Sequence, residues 1–460
     1  MHKETNEITQ IIVKAAEKAR RETAGAVEPE HISRVDWPIQ CTVGPGLEGA
    51  IACESKIGYV NGSKGWLVYR GYDIFDLSAY CTYEEVCYLL LHGELPTSVQ
   101  LDFYKGQMAE YRRINTTLRK LMGFRVEEMN AMAALRLGTE LLRQDYTCGD
   151  REIGKPPPTT AIASDEDSIA METAPRGQGR ATFEFKRFGK RKVFQEACGI
   201  DACNHLIAGV STIAAAIARL HQGLMPIEPD PELGHAANFL LMMTGRHPSP
   251  VEARLMDIAL ILHADHGMNA STFASMVVAS TLSDVYFSAG AGIAALNGPL
   301  HGGANEHVVR QLREIGDADN IEEWVDRAIA GRRKISGFGH RVYKAYDPRA
   351  RVLGPLARFA IYGKKDMEPL YRVARKLERA VVDKLGAKKK IFPNVDFYSG
   401  LIYSCMGIAP EMFTPVFAVS RMAGWTARVT EYLQNNRIFR PRGIYTGEFE
   451  RKVVPIQKRG

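Results

Sequence analysis

The sequence predicts a mainly α, multi-helical protein, and three observations carry that prediction. Apolar residues recur at helical spacing along most of the chain, the stripe that a packed helix needs. Helix-start chemistry precedes such runs, as where Thr82 is followed by Glu85 and then by Val86, Leu89 and Leu90, a capping box. Only one stretch reads as β: two short pieces around Val60-Asn61-Gly62 and Lys64-Gly65, turn residues that predict one small hairpin near the N-terminus. At 460 residues and 45% hydrophobic the chain can bury a large core, and its length suggests two or three domains.

Taken in order, residues 1–35 predict a charged helix (IIVKAAEKARRETAG) and a polar linker, an arm that packs on something else. The hairpin follows Gly46, and the helix opened by Thr82 runs to about Leu91, with Pro96 closing that region. Helical periodicity continues to about residue 147. The stretch 148–185 differs, with three consecutive prolines and clustered Thr, Ser, Asp and Gly, and reads as a surface insert. The basic run FKRFGKRK beyond it suits either anions or a solvated edge. From Val193 the chain is helical again, then turns through PIEPDPELG into helices at His235 to Thr244 and Pro250 to His263.

Composition excludes several classes. No run of about 18 apolar residues exists, which argues against a membrane span. The first residues lack a signal peptide's apolar stretch, and Glu4, Glu7, Glu17 and Glu22 argue against a transit peptide. Eight cysteines without a CxxC pair read as reduced thiols in a cytoplasmic protein. The net charge of +6 is mild, and no basic run alternates with aromatics, so a small anion fits better than nucleic acid.

Four stretches carry chemistry. In GPLHGGANEH, His301 sits among Gly298, Pro299, Gly302 and Gly303, just before a helix with apolar positions Ala304, Val308, Val309 and Leu312. A helix N-terminus disfavours imidazolium, so the ring reads as a neutral donor to a carbonyl oxygen or as a plain turn residue. In HADHGMNAST, His263 and His266 end an apolar helix; metal ligation, a protonated anion-binding imidazole and a bland helix end all fit. In KISGFGHRVYKAYDPRARVLG, Gly337 and Gly339 bare the backbone before His340, and Arg349 follows Asp347-Pro348; a phosphate-holding loop and a glycine turn both fit. In FPNVDFYSGLIY, Asp396 lies in an apolar run, where it is a general base with a raised pKa or the cap of the next helix. Arg421, Arg440 and Arg442 supply guanidinium groups for carboxylates. Together these residues suit proton abstraction next to a carbonyl and attack on a second, anionic carbonyl compound.

The segments YRGYDIFDL, EEVCYLLLHGELP, LIAGVSTIAAAIARLHQGLMPIEPDPEL, NASTFASMVVAST, GPLHGGANE, GFGHRVYKAYDPRA, PNVDFYSG and NNRIFRPRGIYTG resemble the citrate synthase family. They cover roughly residues 44–145 and 193–450. The resemblance implies a two-domain helical homodimer: an N-terminal arm 1–45, a large domain 46–301, a small domain 302–404, and a return 405–460 ending in a partner-subunit arm. It implies condensation of acetyl-CoA with oxaloacetate and water to citrate and CoA, the first step of the tricarboxylic acid cycle, with no metal or redox cofactor. Asp396 is then the base, His301 the stabiliser of the thioester enolate and His340 the acid at the keto oxygen. His266, Arg349 and Arg421 bind oxaloacetate, and Arg440 does so from the partner. Lys334, Ile335, Ser336, Gly337 and Phe338 wrap coenzyme A, largely through backbone groups.

Two departures from the family pattern stand out. Gly267 occupies a position that is often acidic, and Arg428 one that is often histidine. The family contains two alternatives: 2-methylcitrate synthase, which runs the same chemistry on propionyl-CoA, and non-catalytic metabolite-binding paralogues. Those paralogues usually lack a catalytic residue, whereas His301, His340 and Asp396 are all present here.

Overall fold

The computed structural model describes residues 3–26, 37–152 and 192–459. Helix α1 spans Lys3–Glu22 and buries Ile8, Ile12, Ala16 and Ala19. The expected hairpin is present as β1 (Gly58–Asn61) and β2 (Trp66–Tyr69), with Gly58 opposite Tyr69 and Asn61 opposite Trp66. It is larger than expected, because β3 (Tyr72–Asp73) adds a third antiparallel strand. The turn between β2 and β3 is Arg70-Gly71, both at positive φ, the geometry of a two-residue reversal.

Asp73 caps α2 (Ile74–Tyr80), and the Thr82–Glu85 capping box opens α3 (Tyr83–His92). A second box, Thr97–Gln100, opens α4 (Ser98–Tyr111), which leads to α5 (Asn115–Leu121) and α6 (Ala131–Glu152). The first residues of the expected insert therefore prolong α6; residues 153–185 and the basic run up to 191 lie outside the described residues. The chain continues with α7 (Lys192–Leu220), α8 (His235–Thr244) and α9 (Pro250–His263), the last opened by a Ser249–Glu252 box. After these come α10 (Ala270–Ser280), α11 (Val285–Leu296), α12 (Ala304–Ile315) and α13 (Ile321–Ala330). The remaining helices are α14 (Pro348–Ile361), α15 (Glu368–Val381), the short α16 (Ala387–Lys389), α17 (Val395–Cys405) and α18 (Phe413–Leu433).

Helix α18 organises the core. Nearly every residue from Phe413 to Val429 is buried, as in a helix enclosed on all sides. It packs on α3, α7, α9, α10 and α11. Within α7, Gly199–Leu220 is long and apolar enough to cross a membrane, but it is mostly buried inside the protein, so it reads as a core helix. Helices α12, α13, α14, α15 and α17 pack on one another, and α14 also touches α1 and α9.

Candidate active site

The site is built against one face of α18. Arg421, Gly424 and Arg428 repeat at helical spacing, so their side chains share a face. That face meets residues 263–266, at the C-terminal end of α9. Arg421 Nε donates to the His263 carbonyl at 2.6 Å, and Arg428 binds Asp265 with Nε at 2.6 Å and Nη2 at 2.7 Å. A Cβ on Gly424 would lie 2.2 Å from the Ala264 carbonyl oxygen, so only glycine permits this approach.

Histidine 301 ends the turn between α11 and α12. Its N–H donates to the Gly298 carbonyl, and Gly302 N–H donates to that of Leu296. A Cβ on Gly302 would stand 2.2 Å from the Leu296 oxygen, so the bare backbone is a steric need. The His301 Nε2 lies 2.8 Å from the Ser271 hydroxyl on α10, which also accepts from the Trp425 indole. Burial, then the charge of Arg421, pull its pKa down to about 4. The ring is neutral, as expected, but desolvation and a nearby guanidinium are the main causes.

Histidine 340 is neutral by a similar route. Gly337 and Gly339 at positive φ deliver it, and its Nδ1 accepts N–H bonds from Val342 (3.0 Å) and Tyr343 (3.2 Å). The single proton is thereby placed on Nε2. Burial leads the causes that bring its pKa to about 4. The His266 ring centroid is 5.1 Å from that of His340, and its Nε2 is 3.1 Å from the Tyr343 hydroxyl.

Of the readings open for His266, the protonated anion-binding imidazole is the one its surroundings disfavour. Burial, followed by Arg349, His340, Arg421 and Arg428, holds its pKa well below the usual histidine value. The helix C-terminus is outweighed by desolvation amid positive charge. His263 is likewise neutral, pushed to about 3 by burial, with Nδ1 2.7 Å from the Ala259 carbonyl. Among the described residues no group of three or more His, Cys, Asp or Glu side chains stands close enough to hold a metal ion.

Arg349 sits in the first turn of α14, buried and paired with Asp347 through Nε at 3.0 Å and Nη2 at 2.8 Å. Arg421 is the opposite case. Both its Nη1 and Nη2 are buried without a partner, and burial lowers its pKa to about 10. Two such donors cost free energy unless an acceptor reaches them, and a carboxylate is the acceptor that a guanidinium fork matches.

Asp396 lies in the first turn of α17, but the cap is Asn394, whose Oδ1 accepts the Asp396 N–H at 3.1 Å. The capping alternative for Asp396 is therefore overturned, and its carboxylate is spared. Burial raises its pKa to about 6, against the lowering charges of Arg349, Arg421 and Lys334. Asn394 also donates from N to the Gly337 carbonyl and from Nδ2 to that of Gly339, which staples the Asp396 helix to the His340 loop.

The segment Lys334–Phe338 adjoins these groups, with Ile335 and Phe338 buried and the Phe338 ring 4.6 Å from that of Phe397. Its backbone is less open than expected: Ser336 N–H donates to Gln311, and the Gly337 carbonyl accepts from Asn394. Arg440 and Arg442 are exposed beyond α18. Sequence reasoning missed Ser271, Tyr343 and Asp347; of these only Asp347, before Pro348 at a helix start, carried a local signal.

A family model described as "Citrate synthase, C-terminal domain" matches residues 46–442. The citrate synthase of Acidithiobacillus ferridurans is 39% identical over 416 residues, covering 90% of this chain and 98% of that protein. The crystal structure of citrate synthase from Pyrobaculum aerophilum superposes with a TM-score of 0.77 at 38% identity, covering 94% of this chain and all of that one. Citrate synthase from Thermoplasma acidophilum, solved as a ternary complex with carboxymethyl coenzyme A and oxaloacetate, has a TM-score of 0.75 at 31% identity, covering 91% of this chain and all of that one. The chain belongs to the citrate synthase family. It is an acyltransferase of mainly α fold.

Proposed function

We propose that the chain condenses acetyl-CoA with oxaloacetate and water to give citrate and CoA, and that the residues gathered above carry the reaction. The observation that carries this reading is the Arg421 guanidinium, buried with both Nη atoms unpartnered beside a carboxylate raised to about 6 and two imidazoles lowered to about 4. Arg421 and Arg349 hold the carboxylates of the keto acid, with His266 beside them. Asp396 removes a methyl proton from the thioester, and His301 donates to the developing enolate oxygen. A neutral donor is suited to that task because its proton is shared without first being lost. His340, with its proton on Nε2, polarises and protonates the keto oxygen. Water then hydrolyses citryl-CoA in the same site. Lys334 to Phe338 receive the coenzyme, with side-chain and outer backbone groups supplying contacts that the spent amides cannot.

The reading includes a cleft between a large domain (46–301 with the return from 405) and a small domain (302–404). The mutual packing of α12 to α15 with α17 supports that division. It also includes a homodimer whose arm delivers Arg440 to the partner's site. Beyond α18 the chain exposes Ile438, Ile444, Tyr445, Phe449, Val453 and Ile456, an apolar run that needs a covering surface. A cytoplasmic location fits the free thiols of Cys41, Cys53, Cys81, Cys87, Cys203 and Cys405.

Initial rates with acetyl-CoA and propionyl-CoA, each with oxaloacetate and a thiol reagent, test the reading. A strong preference for acetyl-CoA in kcat/KM is expected. A preference for propionyl-CoA overturns the choice of thioester, and absence of thiol release with both overturns the activity.

A further inference from the structure

Two buried arginines and one buried aspartate meet on the inner face of α18, and only one of the arginines is paired. Asp265 is fully enclosed, with Arg428 Nε on Oδ1 and Nη2 on Oδ2. Arg428 is itself held from the far side: Nη1 donates to the Ser55 hydroxyl at 3.2 Å and Nη2 to the Gly58 carbonyl at 3.3 Å. Gly267 N–H also donates to Asp265 Oδ2 at 3.1 Å. Arg421, two helical turns earlier, keeps both Nη atoms empty. Of the surrounding charges, that of Asp265 favours the Arg421 cation most strongly. A buried carboxylate that loses its own partner is strongly unfavourable and seeks another cation.

We propose that Arg428 is a positioning residue: it occupies the Asp265 carboxylate and so leaves the Arg421 guanidinium free for a carboxylate of the keto acid. The fork matters, because a guanidinium closes on both carboxylate oxygens at once, and the Ser55 and Gly58 contacts hold Arg428 in that place. Gly424 lets α18 approach closely enough for this division to be made. The inference rests on the reading that Arg421 binds the keto acid.

The test is initial-rate kinetics on the purified full chain, as Arg428→Gln, Asp265→Asn, the double variant and Arg421→Lys. Without Arg428, Asp265 turns to Arg421 and competes with substrate, so KM for oxaloacetate rises about tenfold or more while KM for acetyl-CoA stays within about threefold. In the double variant the competitor has lost its charge, and KM for oxaloacetate returns to within about threefold of the parent. Asp265→Asn alone leaves it in the same range. A double variant as impaired as Arg428→Gln, or a tenfold rise in Asp265→Asn alone, overturns the proposal and makes the pair a structural brace. If Arg428→Gln does not fold, Asp265→Asn and the double variant decide, since neither buries an unpaired carboxylate. An unchanged KM for oxaloacetate in Arg421→Lys sinks the reading of Arg421 itself, independently of the other arms.

Discussion

Acidification is the most direct perturbation of the proposed chemistry, because the groups in the site are pushed to different sides of neutrality. Burial raises Asp396 from 3.8 to about 6, while His301 and His340 sit near 4. Between pH 5 and 7 only Asp396 among these three changes charge. A base with a pKa of about 6 is about 90% ionised at pH 7 and about 10% at pH 5, so kcat/KM for acetyl-CoA falls roughly tenfold over that interval, with the slope of one proton. An unperturbed aspartate would lose under about a tenth of its ionised form over the same range. The shift also bears on folding: the folded form holds this proton more tightly than the unfolded chain. Stability is therefore lost as pH rises from 3.8 through about 6, by roughly 3 kcal/mol from this group. The assay follows loss of thioester absorbance at constant ionic strength from pH 4.5 to 8. Lys334→Met removes one of the charges that lower Asp396, so the acid limb moves to slightly higher pH. A limb at or below pH 4.5 would refute a desolvated base, and a two-proton slope would refute neutral histidines.

Two further outcomes are expected. Tyr343→Phe removes the hydroxyl 3.1 Å from His266 Nε2 and costs about 1 kcal/mol; it therefore raises KM for oxaloacetate roughly fivefold, read by initial rates against an unchanged melting temperature. Truncation after Leu433 removes both Arg440 and the exposed apolar arm; sedimentation velocity should then show a weakened dimer, and kcat should fall at least tenfold if the partner's arginine completes the site.

Much of the fold was legible because its signals are local. Thr82 with Glu85 and Ser249 before Pro250 are helix starts that need no knowledge of the rest of the chain. The run after Gly303 is likewise a self-contained amphipathic pattern. What was not legible depends on partners far away in sequence. Asp265 and Arg428 are 163 positions apart and Tyr343 and His266 are 77 apart, and nothing local announces either contact. The charge state of His266 was left open for the same reason. A helix end is a local feature, but the burial and the arginines that outweigh it arrive from α14 and α18. The third strand was missed because a two-residue strand carries no periodicity; its turn at Arg70-Gly71 was the only trace.

The unpaired state of Arg421 explains why these distant contacts matter together. A buried guanidinium with two idle donors is a standing cost to the folded protein. The protein carboxylate whose charge acts most strongly on Arg421 is Asp265, and Arg428 closes it. Arg421 also acts on Asp396, which carries no ion pair among the described residues and is the base of the proposed reaction. Under that reading a keto-acid carboxylate is the acceptor for Arg421, and its binding relieves a cost already present in the free protein. Keto-acid binding should therefore stabilise the chain beyond what its few contacts suggest.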